Sequence, residues 1–397
     1  MRPLLLGEIT STGGAQLGLV ALPWLVLTTT GSPAKMGWVM AAELAPVALF
    51  GAHAGVWAAH LGPRRWMIMS DLLRGLLGSL IPALYVIGAL KLPLLLMLVF
   101  VIGFFQAPYL ASQQTILTTL VGEDEETLGR ASSMFQGAVR TTLLIGPPAS
   151  AALIVLLGAP IVLLISAITY LTAAVIILRG VPYAASPRTS RQPALADGLR
   201  TLFRDRLLLF WTLGTVVTEA AWQALFAAIP VLAITRFGGD VRVVGVTVGA
   251  FGAGALAGTL LAVPVLRYIS AVRLANAGKL AQALAFGLLL APLDKAGLAG
   301  CLLLAGLFNG LTIGPANAVR LVRIAAALRS QTLTLMSAIT VIGGTAGLAL
   351  GGLALTVLGE QATLAGLVAA QLIGFFLFAA GSMRMSTTPR SSNPSCE

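Results

Sequence analysis

Twelve long apolar runs govern what this chain can fold into. They cover about 4–27, 36–59, 66–89, 94–117, 134–157, 160–179, 208–234, 243–265, 274–292, 297–318, 332–357 and 361–381. Each approaches the ~20 residues that a helix needs to cross the hydrocarbon core of a bilayer. A transmembrane β-barrel would instead show segments of ~10 residues alternating in polarity. Proline and glycine recur inside the runs, as spanning helices tolerate. Hydrophobic residues make up 57% of the chain and charged residues 10%, against roughly 25% charged in soluble domains. So few charges cannot clothe a water-facing surface, which excludes a soluble enzyme, a disordered chain and a fibrous protein. The expected fold class is an all-α integral membrane protein with twelve transmembrane helices in two six-helix, pseudo-symmetric halves.

The net charge is +11, and its placement matters more than its size. With the N-terminus inside, only Lys35, Lys91, Arg236, Arg242 and Lys295 of the 25 lysines and arginines fall outside. That bias places both termini in the cytoplasm. Basic loops between apolar runs point to membrane lipids rather than nucleic acid as the partner. The first run follows Met1-Arg2-Pro3 without a small-residue cleavage site, and is read as a first transmembrane helix rather than a removed signal. Cys301 and Cys396 imply neither a disulfide framework nor a metal pair.

The organisation expected is a first half over 1–180, a linker over 181–207, a second half over 208–381 and a cytoplasmic tail over 382–397. In the linker, Leu195, Leu199, Leu202 and Phe203 share one helical face, with Arg200, Arg204 and Arg206 available to lipid phosphates. A faint repeat of about 200 residues relates Arg64 and Arg65 to Arg267, and Gly146-Pro147 to Gly343-Gly344. Repeated halves put a binding cavity at their interface, near the bilayer midplane. Glycines at 249, 252, 254 and 258, and at 343, 344, 347, 351 and 352, allow close helix packing or sliding.

Ionisable residues inside apolar runs are functional candidates, because each costs at least ~2.5 kcal/mol to place in lipid. Glu8, Glu43, Asp71, Arg74, Arg140 and Glu219 are read as the full set. Glu8, Asp71, Arg74 and Arg140 lie about one to two turns from the cytoplasmic face and form an expected inner charge network. Glu43 falls in the outer third of its run. Glu219 stands near the middle of the seventh run, beside Trp222 and Gln223, with no basic residue expected at its depth. A carboxylate so desolvated has the setting in which protons can be taken up and released. The proton-coupling candidates are therefore Glu219, Glu8, Asp71 and Glu43. Gln16, Trp24, Gln106, Gln113, Gln136, Trp222, Gln223, Phe226, Asn309 and Asn317 are the candidate cavity lining, a mixture suited to bulky amphipathic solutes. Glu123 to Glu126 reads as a solvated acidic helix start. No nucleophile–base set, metal-ligand spacing or phosphate-binding loop is present, so neither a metal nor another cofactor is expected.

Local motifs add a resemblance. Ala21-Leu22-Pro23-Trp24-Leu25-Val26-Leu27, with Thr30-Gly31-Ser32 and Met36-Gly37, is followed by Gly55-Val56-Trp57-Ala58-Ala59-His60-Leu61-Gly62-Pro63-Arg64-Arg65 and Asp71-Leu72-Leu73-Arg74. Together with Gly146-Pro147 and the linker Arg204-Asp205-Arg206-Leu207, these segments resemble the major facilitator superfamily, and within it the drug- and siderophore-exporter branch. The resemblance implies alternating access, with Gly55, His60, Gly62, Arg64, Arg65, Asp71, Arg74, Arg140, Gly146 and Pro147 in the conformational switch. The loop departs from the family pattern at its acidic position, which is Ala59, and has His60 at its first basic one. In the family that acidic residue is thought to latch the cytoplasmic face, so here the latch must rest on other contacts. The expected activity is proton-coupled efflux of a hydrophobic or amphipathic small molecule by a monomer in the plasma membrane. The alternatives are uptake or lipid and metabolite movement by the same fold, and a scaffold or sensor that has lost transport.

Overall fold

The computed structural model describes residues 2–121, 125–182, 195–325 and 328–383. Among them the chain is built of helices: α1 (Arg2–Thr30), α2 (Pro33–Leu61), α3 (Pro63–Val86), α4 (Leu92–Val121), α5 (Glu125–Leu157), α6 (Ala159–Gly180), α7 (Leu195–Arg204), α8 (Arg206–Thr235), α9 (Val241–Val265), α10 (Ala271–Gly287), α11 (Lys295–Arg323), α12 (Arg329–Val357) and α13 (Glu360–Ser382). Among the described residues, nine helices are long and apolar enough to cross a membrane, and α5 adds the shorter apolar stretch Thr141–Leu157. The ninth run departs most from expectation. Its α-helix stops at Gly287 and tightens into a 3-10 turn over Leu288–Leu290, because Pro292 disfavours helical backbone at Ala291, which is extended at φ −77° and ψ 155°.

Each half repeats one packing scheme. In the first, α1 lies against α5 and α6, α3 against α4 and α6, and α2 against α4. In the second, α8 lies against α12 and α13, α10 against α11 and α13, and α9 against α11. The halves meet along two equivalent seams, α2 with α12 and α5 with α9. Glycine permits the closest of these approaches. A Cβ at Gly37 would lie 2.6 Å from the Leu348 carbonyl oxygen, and one at Gly352 would lie 2.5 Å from that of Pro33. Nearby, the Ala34 amide donates to Thr356 Oγ1 across the seam at 3.2 Å.

Gly62 makes the reversal between α2 and α3 at φ +83°, a conformation open to glycine, and Pro63 then starts α3. The linker helix α7 packs on α12 and α8. Leu202 is buried, whereas Phe203 on the expected apolar stripe is 65% exposed. Asp205 separates α7 from α8. It caps α8 by accepting from the Leu207 and Leu208 amides and also accepts from Arg323 at 2.8 Å. Residues 183–194 of the linker, Glu123, Asp124 and the tail beyond Met383 lie outside the described residues.

Candidate functional site

A cavity of about 310 Å³ opens among α1, α2, α3, α4 and α6, and reaches Gln223 of α8 and Leu348 of α12. Leu19, Leu22, Met40, Val47, Ile81, Val99, Ile102 and Leu163 give it apolar walls. Its polar groups are Gln16, Glu43, Arg74, Gln106, Ser166, Tyr170 and Gln223. Of the expected lining, Gln16, Gln106 and Gln223 therefore border it. Trp24 is buried in the core, and Trp222 packs into an aromatic cluster with Phe226, Phe251 and Phe286. Gln113 donates to Glu8, Asn317 accepts from Arg320, and Asn309 lies on α11 away from this cavity. Glu43 opens onto the cavity. Among the described residues its carboxylate makes no hydrogen bond or ion pair, and Arg74 is the cation whose field reaches it.

The first half holds most of the expected inner network. Glu8 is buried and accepts from Thr12 at 2.8 Å, Tyr109 at 2.9 Å, and Gln113. Asp71, fully buried, accepts from Ser11 at 2.8 Å and lies 3.9 Å from Arg74. Arg74 donates to the Tyr170 hydroxyl at 2.7 Å and stacks over that ring at 4.1 Å. Helical spacing puts Asp71 and Arg74 on one face of α3. The helices that pack there supply Ser11 from α1, Tyr109 from α4 and Tyr170 from α6. The side chains of Gly55, His60, Gln136 and Arg140 fall outside the described residues.

Four further switch candidates, Arg64, Arg65, Gly146 and Pro147, sit at helix ends and crossings. Arg64 donates from Nε to the Val181 carbonyl and from Nη2 to the Leu178 carbonyl, both at 2.6 Å, closing the C-terminal end of α6. Arg65 is exposed beside it. Gly146 presses α5 against Gln16 of α1, while the Pro147 carbonyl would lie 2.6 Å from a Cβ at Gly245 of α9.

In the second half, Glu219 accepts from Gln223 at 3.0 Å and faces Gly344 of α12. The expectation that no cation shares its depth is corrected by Lys279. That residue lies about two turns inside α10 and is 6% exposed. Its ammonium donates to Thr218 Oγ1 at 3.1 Å and to Gln282 Oε1 at 3.4 Å, and lies 5.4 Å from the Phe378 ring centre. Glu219 and Lys279 feel each other's charge, although no ion pair joins them among the described residues. Near the start of the ninth run, Lys279 reads from the sequence as a flanking charge. The overlooked signal was the repeat, which sets it about 200 residues beyond Arg74.

Outside the spans, Asp240 at the start of α9 accepts from Lys295 at 2.7 Å. That hydrogen bond holds its carboxyl below the ordinary carboxylate range. Among the described residues no group of histidine, cysteine and acidic side chains could hold a metal ion.

Known proteins bear on this arrangement. The multidrug efflux pump Tap of Mycolicibacterium fortuitum is 29% identical over 158 residues, 39% of each chain. The protein of the same name from Mycobacterium tuberculosis (strain ATCC 25618 / H37Rv) is 24% identical over 225 residues, 54% of this chain and 52% of its own. The chain thus spans about half or less of the curated relatives it matches. Among solved structures, the nucleoside transporter NupG superposes with a TM-score of 0.77 at 13% identity, over 96% of this chain and 98% of its own. A bacterial homolog of the human lysosomal transporter Spinster, inward-facing and unoccupied, gives 0.76 at 14% identity over 98% of each. The Major Facilitator Superfamily profile matches residues 4–318. With that match over most of its length, and with helices paired alike in both halves, the chain belongs to the Major Facilitator Superfamily.

Proposed function

We propose that this transporter exports hydrophobic or amphipathic small molecules across the plasma membrane in exchange for protons, with both termini in the cytoplasm. The observation that carries this reading is the cavity itself. Its walls are mostly aliphatic, with the amides of Gln16, Gln106 and Gln223, the Ser166 and Tyr170 hydroxyls, the Arg74 guanidinium and the open carboxylate of Glu43. That is the lining of a site for bulky solutes, since sugars need denser polar contacts. The names of the Tap relatives point the same way.

Alternating access gives the cycle. The seam at Gly37, Gly352, Ala34 and Thr356 closes one face of the molecule, which the positive-inside bias assigns to the exterior. Substrate enters from the cytoplasm and leaves when that seam parts. Glu219, half-buried beside Gln223 at the cavity's edge, carries the proton inward. Its other partners are the substrate and membrane lipids, and the working unit is the monomer.

The test is a substrate screen in inverted vesicles with an imposed pH gradient, lumen acid. A transported amphipathic dye accumulates in the lumen only while the gradient stands, and an uncoupler releases it. Accumulation that ignores the gradient and the uncoupler would exclude proton coupling.

A further inference from the structure

We infer that Lys279 is the exchangeable counter-charge of Glu219, leaving its bonds to Thr218 and Gln282 and pairing with the carboxylate each time Glu219 gives up a proton. The inference deepens the proposed coupling role of Glu219 and rests on that reading for its place in the cycle.

Equivalent positions in the two halves do not match. Arg74 on α3 and Lys279 on α10 are buried cations about 200 residues apart. Each lies against an aromatic ring from the equivalent helix, Tyr170 of α6 for Arg74 and Phe378 of α13 for Lys279, and Lys279 also donates to Thr218 of α8. One turn before Arg74 stands Asp71, a fixed counter-ion. One turn before Lys279 stands Asn276. Asn276 spends its amide N–H groups on the Val272 carbonyl and Ser382, and its Oδ1 has no partner among the described residues. Among the described residues the buried ammonium is thereby held by neutral oxygens, one of them at 3.4 Å.

Other groups do not supply the missing charge. Among the described residues, α11 presents Arg320, a like charge, and α13 presents Gln371 and Phe378. On α10 itself the polar neighbours are Asn276 and Gln282. The carboxylate in electrostatic reach is Glu219, next to Thr218 on α8. Lysine's four-carbon stem lets the ammonium change partners without backbone movement.

The step balances simply. With Glu219 protonated, the site carries one positive charge and Lys279 stays on Thr218 and Gln282. Glu219 then breaks its O–H bond and passes the proton to solvent on the cytoplasmic side. The carboxylate left behind takes the ammonium, which remains protonated throughout, and the site becomes neutral. Reprotonation from outside reverses the exchange.

The test is the pH profile of thermal unfolding of the purified, ligand-free transporter in nanodiscs, which needs no known substrate. Wild type and Lys279→Arg should hold their melting temperature from about pH 6 to about pH 8, while Lys279→Met loses several degrees, roughly 4 °C or more, over that range as the half-buried Glu219 carboxylate loses its cation. In a Glu219→Gln background, Lys279→Met should cost nothing further with pH. A purely structural lysine would cost the same in both backgrounds, and that result, or a flat profile for Lys279→Met alone, overturns the inference. If Lys279→Met fails to fold, the Glu219→Gln/Lys279→Met double variant must recover folded protein, and failure to do so also overturns it. Dye accumulation by Glu219→Gln under a pH gradient is read separately. Wild-type accumulation there sinks the coupling reading, whatever the melts show.

Discussion

The two halves share a helix-pairing scheme but treat their buried charges differently. In the first half, Arg74 is locked: Asp71 lies one turn away, Tyr170 accepts its hydrogen bond, and Ser11 holds Asp71 in turn. In the second half, Lys279 has Asn276 where Asp71 would stand, and among the described residues the carboxylate whose charge reaches it is Glu219 on another helix. Removing one member of a buried pair strands the other, whereas a group already held by neutral partners has less to lose. The difference suggests a division of labour. The first half frames the cavity with a fixed charge network, and the second keeps a charge free to change partners.

The largest expected effect tests that division. Asp71→Asn should destabilise the protein by about 3–5 kcal/mol, because Arg74 stays buried without its counter-ion. Glu219→Gln should cost under about 1 kcal/mol, since it keeps a hydrogen-bonding amide beside Gln223. Thermal unfolding of the two purified variants makes the comparison, and equal losses would erase the distinction between the halves.

Next in size is the seam. Gly352→Val puts side-chain atoms onto the Pro33 carbonyl and the Gly37 backbone. Overpacking of this kind costs about 1–3 kcal/mol, paid only in the state where the seam is closed. A cysteine at Lys35, exposed at the start of α2, should therefore label faster from outside in the Gly352→Val variant than in the parent. Unchanged labelling would mean that the seam does not govern that face.

Arg64→Gln is expected to be milder. It removes two hydrogen bonds from a cation to the end of α6, each worth about 1.5–3 kcal/mol at most and less where water can replace it. Turnover should fall several-fold while equilibrium dye binding stays near the parent value. A loss of binding with unchanged turnover would move Arg64 from the switch to the site.

The smallest effect belongs to Lys295→Met. Lys295 stabilises the ionised Asp240, whose folded carboxyl titrates below its ordinary range. That contribution is present above the ordinary carboxylate value and fades as pH falls through the lowered folded one. The pair is solvent-exposed, so the loss at neutral pH should stay under about 1 kcal/mol. Melts of parent and variant should converge on acidification, and a gap that widens at low pH would reverse the sign.

Much of this was legible in the chain. The apolar runs announce the spanning helices, because lipid leaves backbone groups no partner outside a helix. Glu8, Asp71 and Arg74 are expected together from depth alone, and the structure joins them through Ser11, Tyr109 and Tyr170. Depth along a run says less about direction around a helix. Trp24 and Trp222 therefore read as cavity wall although they pack into the core, and Gln113 reads as lining although it serves Glu8. Lys279 was misplaced for a related reason. A charge near the start of an apolar run resembles a flank until the helix is seen to begin at Ala271.

In the proposed cycle, coupling resides in the second half, at Glu219. Its most direct test is dye accumulation by Glu219→Gln in inverted vesicles, measured with a pH gradient and again at equal pH. Glutamine keeps the shape and hydrogen-bonding capacity of the protonated acid but has no proton to release. The account predicts that gradient-driven accumulation disappears while exchange at equal pH continues. Accumulation at the wild-type rate would contradict it, and would return the search for the proton carrier to Glu8 and Asp71.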